Sequence, residues 1–339
     1  MDNLEKNIDK YIEDIKSKPF SKKKFSLKNK TPRKVTIYSK PITPYIKLNK
    51  EDINKIKKQP LGKELVKFRK KLYKKFRSEN LNLLNNNIKS LKVKIKYIAP
   101  EILLLKFASG RYKIQKNRIQ IIKYFKEGCT YHEFFHMATL FYSKKLKIAF
   151  SGFQQILYFK EEIIGMGLNE GYTEVLSQRY FNEQIKFRSY SYDVCEFFAK
   201  KLEQIVEKDR MENFYMNADL FGLYNYLINF DEGSHVVTFI SCLDYIVKNA
   251  SSFNPKKSER YYELIECYLA KWYINKKKQE LDKNIIDENT FNIETKNYID
   301  SLENKDLYIE NYLRIKEHYI KFQNSSFCKE LVKKNKKQG

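Results

Sequence analysis

The sequence lacks the features that mark secreted and membrane proteins. Its five cysteines are scattered over 339 residues and include no C-x-x-C pair, which indicates free thiols in a reducing compartment. The longest apolar run, IAPEILLLKFA, is interrupted and too short to cross a bilayer. The first residues have mixed charge and contain no apolar stretch typical of a signal peptide. We therefore expect a soluble, cytoplasmic protein without a transmembrane segment.

Acidic residues are scarce in the first hundred positions. These positions hold 29 Lys and Arg but 9 Asp and Glu, so they carry +20 of the formal net charge of +25. A basic N-terminal region of this kind is typical of proteins that contact nucleic acid or an anionic membrane. The abundant residues Lys, Asn, Ile, Tyr and Phe all have AT-rich codons, so genome composition is a second explanation for the same charge. Composition leaves both interpretations open.

Histidine is also rare, yet two of the four histidines stand in the stretch YHEFFHMA at residues 131–138. Positions i and i+4 of a helix share one face, so His132 and His136 can direct both imidazoles at one metal ion. Glu133 is one step around the helix, from where it can reach a water bound to that metal. Zinc-assisted hydrolysis needs this division of roles. The alternative is an aromatic helix whose histidines are satisfied by hydrogen bonds in the core.

Catalytic zinc commonly takes a third protein ligand and keeps one position open. Glu170, in the stretch GLNEGYTEVLSQRYF, is the expected third ligand, and Glu161 is the alternative. Glu174 would share a helix face with Glu170, and from there it could accept a hydrogen bond from one histidine and fix its tautomer. A solvated helix face is the competing interpretation of these two glutamates.

The segments HEFFH and NEGYTE together resemble the gluzincin group of the zincin metallopeptidases, and GRYKIQKNRIQI is similar to the zincin edge strand before the active-site helix. The resemblance covers roughly residues 91–185. It implies an α+β fold, with a zincin-like catalytic core of a small mixed sheet and an active-site helix, followed by a mostly helical C-terminal part. It also implies a zinc metallopeptidase with a peptide added as a strand along residues 112–121. In that enzyme His132, His136 and Glu170 bind Zn2+, and Glu133 is the general base.

Two features depart from the family pattern. His136 and Glu170 are separated by 33 residues, more than in the best-known gluzincins, and the insert LKIAFSGFQQILYFKEEIIG fills the gap. No further motif identifies a hydrogen-bond donor for the transition state. His235, Tyr172 and Tyr131 are the candidates for that role, with ordinary packing as the alternative for each.

Periodicity and turn residues predict the secondary structure. Three short strands are expected between residues 91 and 122, namely LKVKIKYIA, EILLLKFAS and GRYKIQKNRIQII, with a turn at Gly110. The histidine helix is expected from about Tyr131 to Ser143, then a strand pair or ordered flap, then a helix that begins near Asn169. Further helices are expected at 2–17, at 51–88 with a break near Pro60 and Gly62, and near 192–208, 211–229, 234–249, 257–280 and 306–321.

Three apolar faces are expected to pack in the core. The helix after the break has a face with Leu65, Phe68, Leu72 and Phe76. Phe134 and Phe135 are expected to anchor the histidine helix. The aromatic faces of the helices after residue 190, including Tyr192, fit ordinary core packing.

The chain is expected to divide into a basic, partly flexible arm (1–50), a zincin-like catalytic subdomain (51–185) and a helical subdomain (186–339). Two functions are consistent with it. One is a zinc-dependent peptidase that acts on a peptide or protein substrate. The other is a polyanion-binding protein, with an inactive or structural zincin-like domain, that uses the basic first hundred residues. The intact set of His132, Glu133 and His136 favours the enzyme, because a decayed site would be expected to lose its general base.

Overall fold

A computed structural model describes residues 36–42, 46–76, 81–96, 110–122, 126–183, 190–248 and 259–302, together with Asp9, Lys10 and Glu13. The predicted helix at 306–321, most of that at 2–17 and the predicted strand EILLLKFAS lie outside these residues and stay predictions. Within them the chain combines helices with two small sheets, so the α+β class is confirmed. In this part of the chain no helix is long and apolar enough to cross a membrane.

Helices precede the first strand, and the predicted break near Pro60 and Gly62 separates two of them. The helix after the break buries its predicted apolar face. Phe68, at the centre of that face, is in ring contact with Phe134 and Phe135 of the histidine helix. These two phenylalanines are fully buried and anchor the histidine helix in the core, as predicted. The helices are α1 (Lys50–Lys57), α2 (Gly62–Lys75) and α3 (Asn82–Ser90).

The first sheet consists of β1 (Lys92–Lys96), β2 (Gly110–Lys113) and β3 (Arg118–Ile122), in the spatial order β1-β3-β2. β3 pairs with β1 in parallel and with β2 in the antiparallel direction. Both sides of β3 are therefore occupied, and β2 is an edge among the described strands. The expectation that a peptide adds along residues 112–121 is wrong for the β3 part of that range, because the backbone groups of β3 are already paired.

The segment predicted as one strand, GRYKIQKNRIQII, is two strands with a turn at Asn117, and Gly110 is the first residue of β2. The predicted turn before Gly110 adjoins residues outside the described part of the chain and stays a prediction. Asn117 has a left-handed backbone with φ 38°, which asparagine tolerates better than most residues. Its side-chain NH2 donates hydrogen bonds to Asn87 O (2.7 Å) and Ser90 Oγ (2.8 Å). These two hydrogen bonds connect the β2–β3 turn to α3. The turn is therefore stabilised by contacts with a distant element, which the local sequence does not indicate.

The histidine helix, α4 (Lys126–Ala138), begins and ends five residues earlier than predicted. Asn87 on α3 donates its side-chain NH2 to Met137 O (2.8 Å) and Leu140 O (2.7 Å). These bonds satisfy carbonyl groups that a helix leaves unpaired at its C-terminal end. The predicted last turn, Phe141–Ser143, is instead the first strand of a second sheet.

The predicted strand pair is a four-stranded antiparallel sheet between α4 and the next helix. The β-turn at Gly152 and Phe153 points toward that helix, because the Phe153 N–H donates to Asn169 Oδ1 (3.1 Å). Ser151 in the same sheet donates its hydroxyl to His136 O (3.0 Å). The insert thus supports both helices. Its strands are β4 (Phe141–Ser143), β5 (Ile148–Ser151), β6 (Gln154–Leu157) and β7 (Glu162–Ile164).

The described chain after β7 is helical. The helix predicted at 211–229 is two helices, because Ala218 has a left-handed backbone and Asp219 accepts a hydrogen bond from the Gly222 N–H (2.8 Å) to start a new helix. The last helix was not predicted. These elements are α5 (Met166–Phe181), α6 (Tyr190–Val206), α7 (Lys208–Met216), α8 (Leu220–Leu227), α9 (Gly233–Lys248), α10 (Glu259–Asp282) and α11 (Glu288–Asp300).

α5 carries both predicted carboxylates and begins three residues before the predicted start at Asn169. Asp244 on α9 holds this start, since its carboxylate accepts the N–H groups of Gly165 (2.9 Å) and Gly167 (2.8 Å). Farther along, Gly171 lies against α6, and a Cβ at this position would meet the backbone carbonyl of Cys195. The absence of a side chain therefore lets α5 pack closely on α6.

One hydrophobic cluster extends from Leu48 to Leu302 and draws residues from both sides of the predicted boundary at 185/186. The division into arm, catalytic subdomain and helical subdomain stays a prediction. Four of the five cysteines lie among the described residues, and all four are free thiols, as predicted.

Asp244→Ala is expected to destabilise the fold, and more strongly in mild acid than at neutral pH. The variant leaves the N–H groups at the start of α5 without their acceptor, a loss of about 1–3 kcal/mol. Burial raises the pKa of Asp244 from 3.8 to about 6. Its stabilisation is therefore complete below the unfolded pKa and declines as the pH rises through the folded pKa.

The loss should be smaller by about 1 kcal/mol at pH 7.5 than at pH 5, as measured by urea unfolding at the two pH values. Asp282→Ala, at an exposed position, should change the stability by less than about 0.5 kcal/mol. A loss that grows with pH would contradict the assignment.

Candidate metal centre

Two helices bring three potential ligand atoms together in the interior. His132 and His136 lie one turn apart on α4, and their Nε2 atoms are 2.9 Å apart. Glu170 on α5 places its Oε2 3.1 Å from the first of these nitrogens and 3.4 Å from the second. Tetrahedral coordination with bonds of about 2.0–2.1 Å sets neighbouring ligand atoms about 3.3 Å apart, close to the size of this triangle. The group could hold a metal ion.

Glu174 lies behind His132, as expected for a carboxylate that orients a histidine. Its Oε1 is 3.0 Å from His132 Nδ1, the ring nitrogen opposite the one that faces Glu170. Both side chains are buried, and the contact is a close electrostatic approach rather than an aligned hydrogen bond. A carboxylate at this position favours the proton on Nδ1 and leaves Nε2 free to act as a ligand.

His136 has an amide neighbour instead of a carboxylate. The Asn169 amide oxygen accepts the Phe153 N–H, which leaves the amide NH2 3.2 Å from His136 Nδ1. This orientation suits a ring protonated at Nε2, whereas a metal at Nε2 requires the proton on Nδ1. A metal therefore fits His132 as it stands. At His136 it requires the Asn169 amide to reverse, which would replace the hydrogen bond from the Phe153 N–H by one from His136 Nδ1.

Opposite charges face each other across the two helices. Burial by itself lowers the pKa of His132, but the charges of Glu174 and Glu170 outweigh burial and raise it well above its ordinary value. Burial likewise raises the pKa of Glu170, while His136 and His132 outweigh that effect and hold the pKa far below its usual range. Glu170 is thus an anion near neutral pH, which is the form that binds a cation.

Glu133 is on α4 between the two histidines and faces β2. Its side chain is buried, and burial raises its pKa, although His132 and His136 oppose that shift. The backbone of Tyr112 on β2 also opposes the rise in the pKa of Glu133. Gly110, two residues away on the same strand, also lies beside it. The predicted general base is therefore held between the ligand helix and the edge strand.

Tyr192 is a member of this site that the sequence assigned to ordinary core packing. It lies near the start of α6, and its ring centroid is 6.3 Å from that of His132. The charge of Glu170, then burial, then the charge of Glu133 raise the pKa of Tyr192 well above its ordinary value. Its hydroxyl therefore keeps its proton and can donate a hydrogen bond. Sequence spacing relates Tyr192 neither to the histidine helix nor to the helix of Glu170. Only the packing of α6 on α5 shows that Tyr192 belongs to the site.

Glu183 is a second residue that sequence reasoning missed. It follows α5 by two residues, and its carboxylate accepts the backbone N–H groups of Tyr131 (2.9 Å) and His132 (2.7 Å). Burial raises its pKa to about 7, although these two hydrogen bonds oppose the shift. Glu183 thus fixes the backbone at the first histidine. No sequence signal connects it to α4.

The remaining predicted residues lie elsewhere. Glu161 is exposed in the turn between β6 and β7 and is not part of the ligand group. Of the two candidates for the third ligand, Glu170 is therefore the one that lies beside the histidines. Tyr172 donates its hydroxyl to Glu203. The ring of Tyr131 stacks on Phe181 with centroids 4.0 Å apart.

His235 is held in a separate cluster. Its Nδ1 is 2.9 Å from both carboxylate oxygens of Asp231, and its ring contacts Tyr268. Trp272 donates its indole N–H to the same aspartate (3.0 Å). These contacts explain the conformation of His235 without reference to the ligand group.

Metal binding is expected to depend on Glu170 and Glu174 but not on Glu161. Glu170→Gln removes the anionic ligand and should weaken zinc binding most. Glu174→Gln removes the partner of His132 and should weaken it by about 10–100-fold. Competitive titration against a chelator measures these changes, with Glu161→Gln as the matched control at wild-type affinity. Equal affinities in all three variants would exclude this metal centre.

No family model, no curated protein and no solved structure matches this chain. The assignment of a metal centre therefore depends on the side chains of α4 and α5 themselves.

Proposed function

We propose that this protein is a zinc-dependent peptidase of the gluzincin type, with His132, His136 and Glu170 as the zinc ligands and Glu133 as the general base. The observation that carries the proposal is the convergence of three ligand atoms, all within 4.8 Å of one another, next to a buried carboxylate on the same helix. Two imidazoles and one carboxylate form a donor set found in catalytic zinc sites. Softer metals would favour thiolate ligands.

Bound zinc would polarise the scissile carbonyl and lower the pKa of a water molecule. The role of the protein is to supply a base for that water's proton and to deliver the proton to the leaving amine. Glu133 suits both steps, because burial raises its pKa toward the working pH.

Tyr192 is the proposed donor for the oxygen that becomes negative in the transition state, in place of the candidates Tyr172 and His235. Its proton is retained because the surrounding carboxylates disfavour a tyrosinate. A preorganised donor of this kind stabilises developing charge without a cost of reorganisation at the moment of reaction.

The peptide substrate is proposed to pair with β2 alone, over Gly110–Lys113. This strand has β3 on one side, and its other side is not paired with a described strand. Pairing of an extended peptide with a free sheet edge uses backbone hydrogen bonds and accepts varied side chains. It would bring a peptide bond past Glu133, because Gly110 and Tyr112 both lie beside that carboxylate.

The alternative, polyanion binding through the first hundred residues, also stays a proposal. The described part of that region has a solvent-exposed lysine face on α2. The same helix buries Leu65, Phe68 and Leu72 in the core, so removal of the first ninety residues would disturb the fold and could not separate the two functions. Binding to DNA or anionic vesicles that weakens steeply with salt is the signature of this activity.

Glu133→Gln is expected to retain zinc and lose peptide hydrolysis. The amide keeps the size of the side chain but cannot accept a proton, and loss of a general base commonly costs about 10²–10⁴ in rate. Cleavage of a quenched fluorescent peptide mixture and zinc content by elemental analysis provide the two measurements. A fully active Glu133→Gln protein, or a wild type that binds no zinc, would contradict the proposal.

Tyr192→Phe is expected to lower kcat by about 10²–10³, the typical effect of removing one such donor, with little change in zinc content. Tyr172→Phe is the matched control, because its hydroxyl contacts Glu203. That control should lose about 1 kcal/mol of stability and keep kcat. If Tyr192→Phe and Tyr172→Phe have equal kcat values, Tyr192 is not the donor.

A further inference from the structure

Gly110 occupies an unusual position against Glu133. A Cβ built on Gly110 would lie 2.7 Å from Glu133 Oε1, 2.9 Å from Glu133 Cγ and 3.1 Å from Cys129 Sγ. The first two contacts are closer than real Cβ atoms approach their neighbours. Any side chain at position 110 would therefore overlap the place that the Glu133 carboxylate now occupies.

The atoms that would have to move distinguish Gly110 from the glycines of α5. A Cβ at Gly167 or Gly171 would meet backbone atoms of α9 or α6, so a substitution there would force two helices apart. At Gly110 the nearest atoms belong to side chains, and two of the three belong to the flexible Glu133. The fold can accept a methyl group at position 110, but the Glu133 carboxylate cannot keep its place.

The same strand also places a backbone N–H near the carboxylate. Residues 110 and 112 are two apart on β2, so their backbone N–H groups point in the same direction within the sheet. The backbone of Tyr112 opposes the rise in the pKa of Glu133, as a donor near the carboxylate would. The strand thus provides space at one residue and a polar backbone group at the next equivalent residue.

We propose that Gly110 is a positioning residue for Glu133. Its missing side chain admits the carboxylate to the edge of the first sheet, beside the backbone of β2. The inference rests on the proposed role of Glu133 as the general base. It adds that the strand proposed to bind the substrate also aligns the base, so one element sets the distance between the two.

Gly110→Ala tests the inference through kinetics. The variant should keep one equivalent of zinc and a near wild-type melting temperature, while kcat falls by roughly 10–100-fold, since a displacement of about 1 Å can cost that much. KM should change by less than about threefold, as expected when the loss is confined to the chemical step. Lys145→Ala, at an exposed position in the turn between β4 and β5, is the control and should keep kcat.

A double-mutant cycle separates positioning from general damage. Glu133→Asp withdraws the carboxylate by one methylene and vacates the space beside Gly110. Gly110→Ala should therefore have little further effect on kcat in the Glu133→Asp background. Independent effects that multiply in the double variant, or loss of zinc in Gly110→Ala alone, would overturn the inference.

The Tyr112 amide provides a readout that does not depend on hydrolysis. In protein labelled with ¹⁵N-tyrosine and assigned with Tyr112→Phe, the Tyr112 N–H resonance should shift in Gly110→Ala in the same direction as in Glu133→Ala, because both variants take the carboxylate away from this N–H. Lys145→Ala, far from β2 in the sequence, should leave the resonance in place. If the wild type hydrolyses no peptide, the proposed function fails and this resonance alone decides the role of Gly110. An unchanged Tyr112 resonance in Gly110→Ala overturns the inference that Gly110 positions Glu133.

Discussion

The site depends on the packing of α4 against α5. This packing buries two histidines of α4 and two glutamates of α5 next to one another. Buried carboxylates are costly unless cations or hydrogen-bond donors face them. Here Glu170 and Glu174 face the two sides of the His132 ring. Glu170, whose pKa the histidines hold far below its usual range, is therefore an anion in the interior, and a metal ion would supply the positive charge that faces it.

Both helices are held by side chains from other elements that pair with their backbones. Asp244 accepts N–H groups at the start of α5, and Glu183 accepts those at His132. The four-stranded sheet contributes the Ser151 contact to α4 and the Phe153 contact to α5. The long insert between His136 and Glu170 is thus a support for the site as well as a connection. The spacing that departs from the gluzincin pattern has a structural role here.

The sequence predicted local features well where apolar residues follow a clear helical period and distant side chains do not change the outcome. The apolar face of α2, the break near Gly62 and the aromatic anchors of α4 all follow from helix geometry and burial. Predictions were wrong where distant side chains decide the outcome. Asn87 bonds to carbonyls at the end of α4, and the bonds of Asn117 reverse the chain between β2 and β3. No local rule could have related these asparagines to their partners.

The same distinction applies to the site. The sequence by itself determined that His132, Glu133 and His136 share a turn of helix and that Glu170 and Glu174 share another, because an α-helix repeats every 3.6 residues. Only the tertiary structure decided that Glu170 rather than Glu161 approaches the histidines, and that Tyr192, Glu183 and Gly110 surround them. These residues lie on elements far apart in the chain, and their positions follow from how the helices and sheets pack. Periodicity along one segment contains no information about that packing.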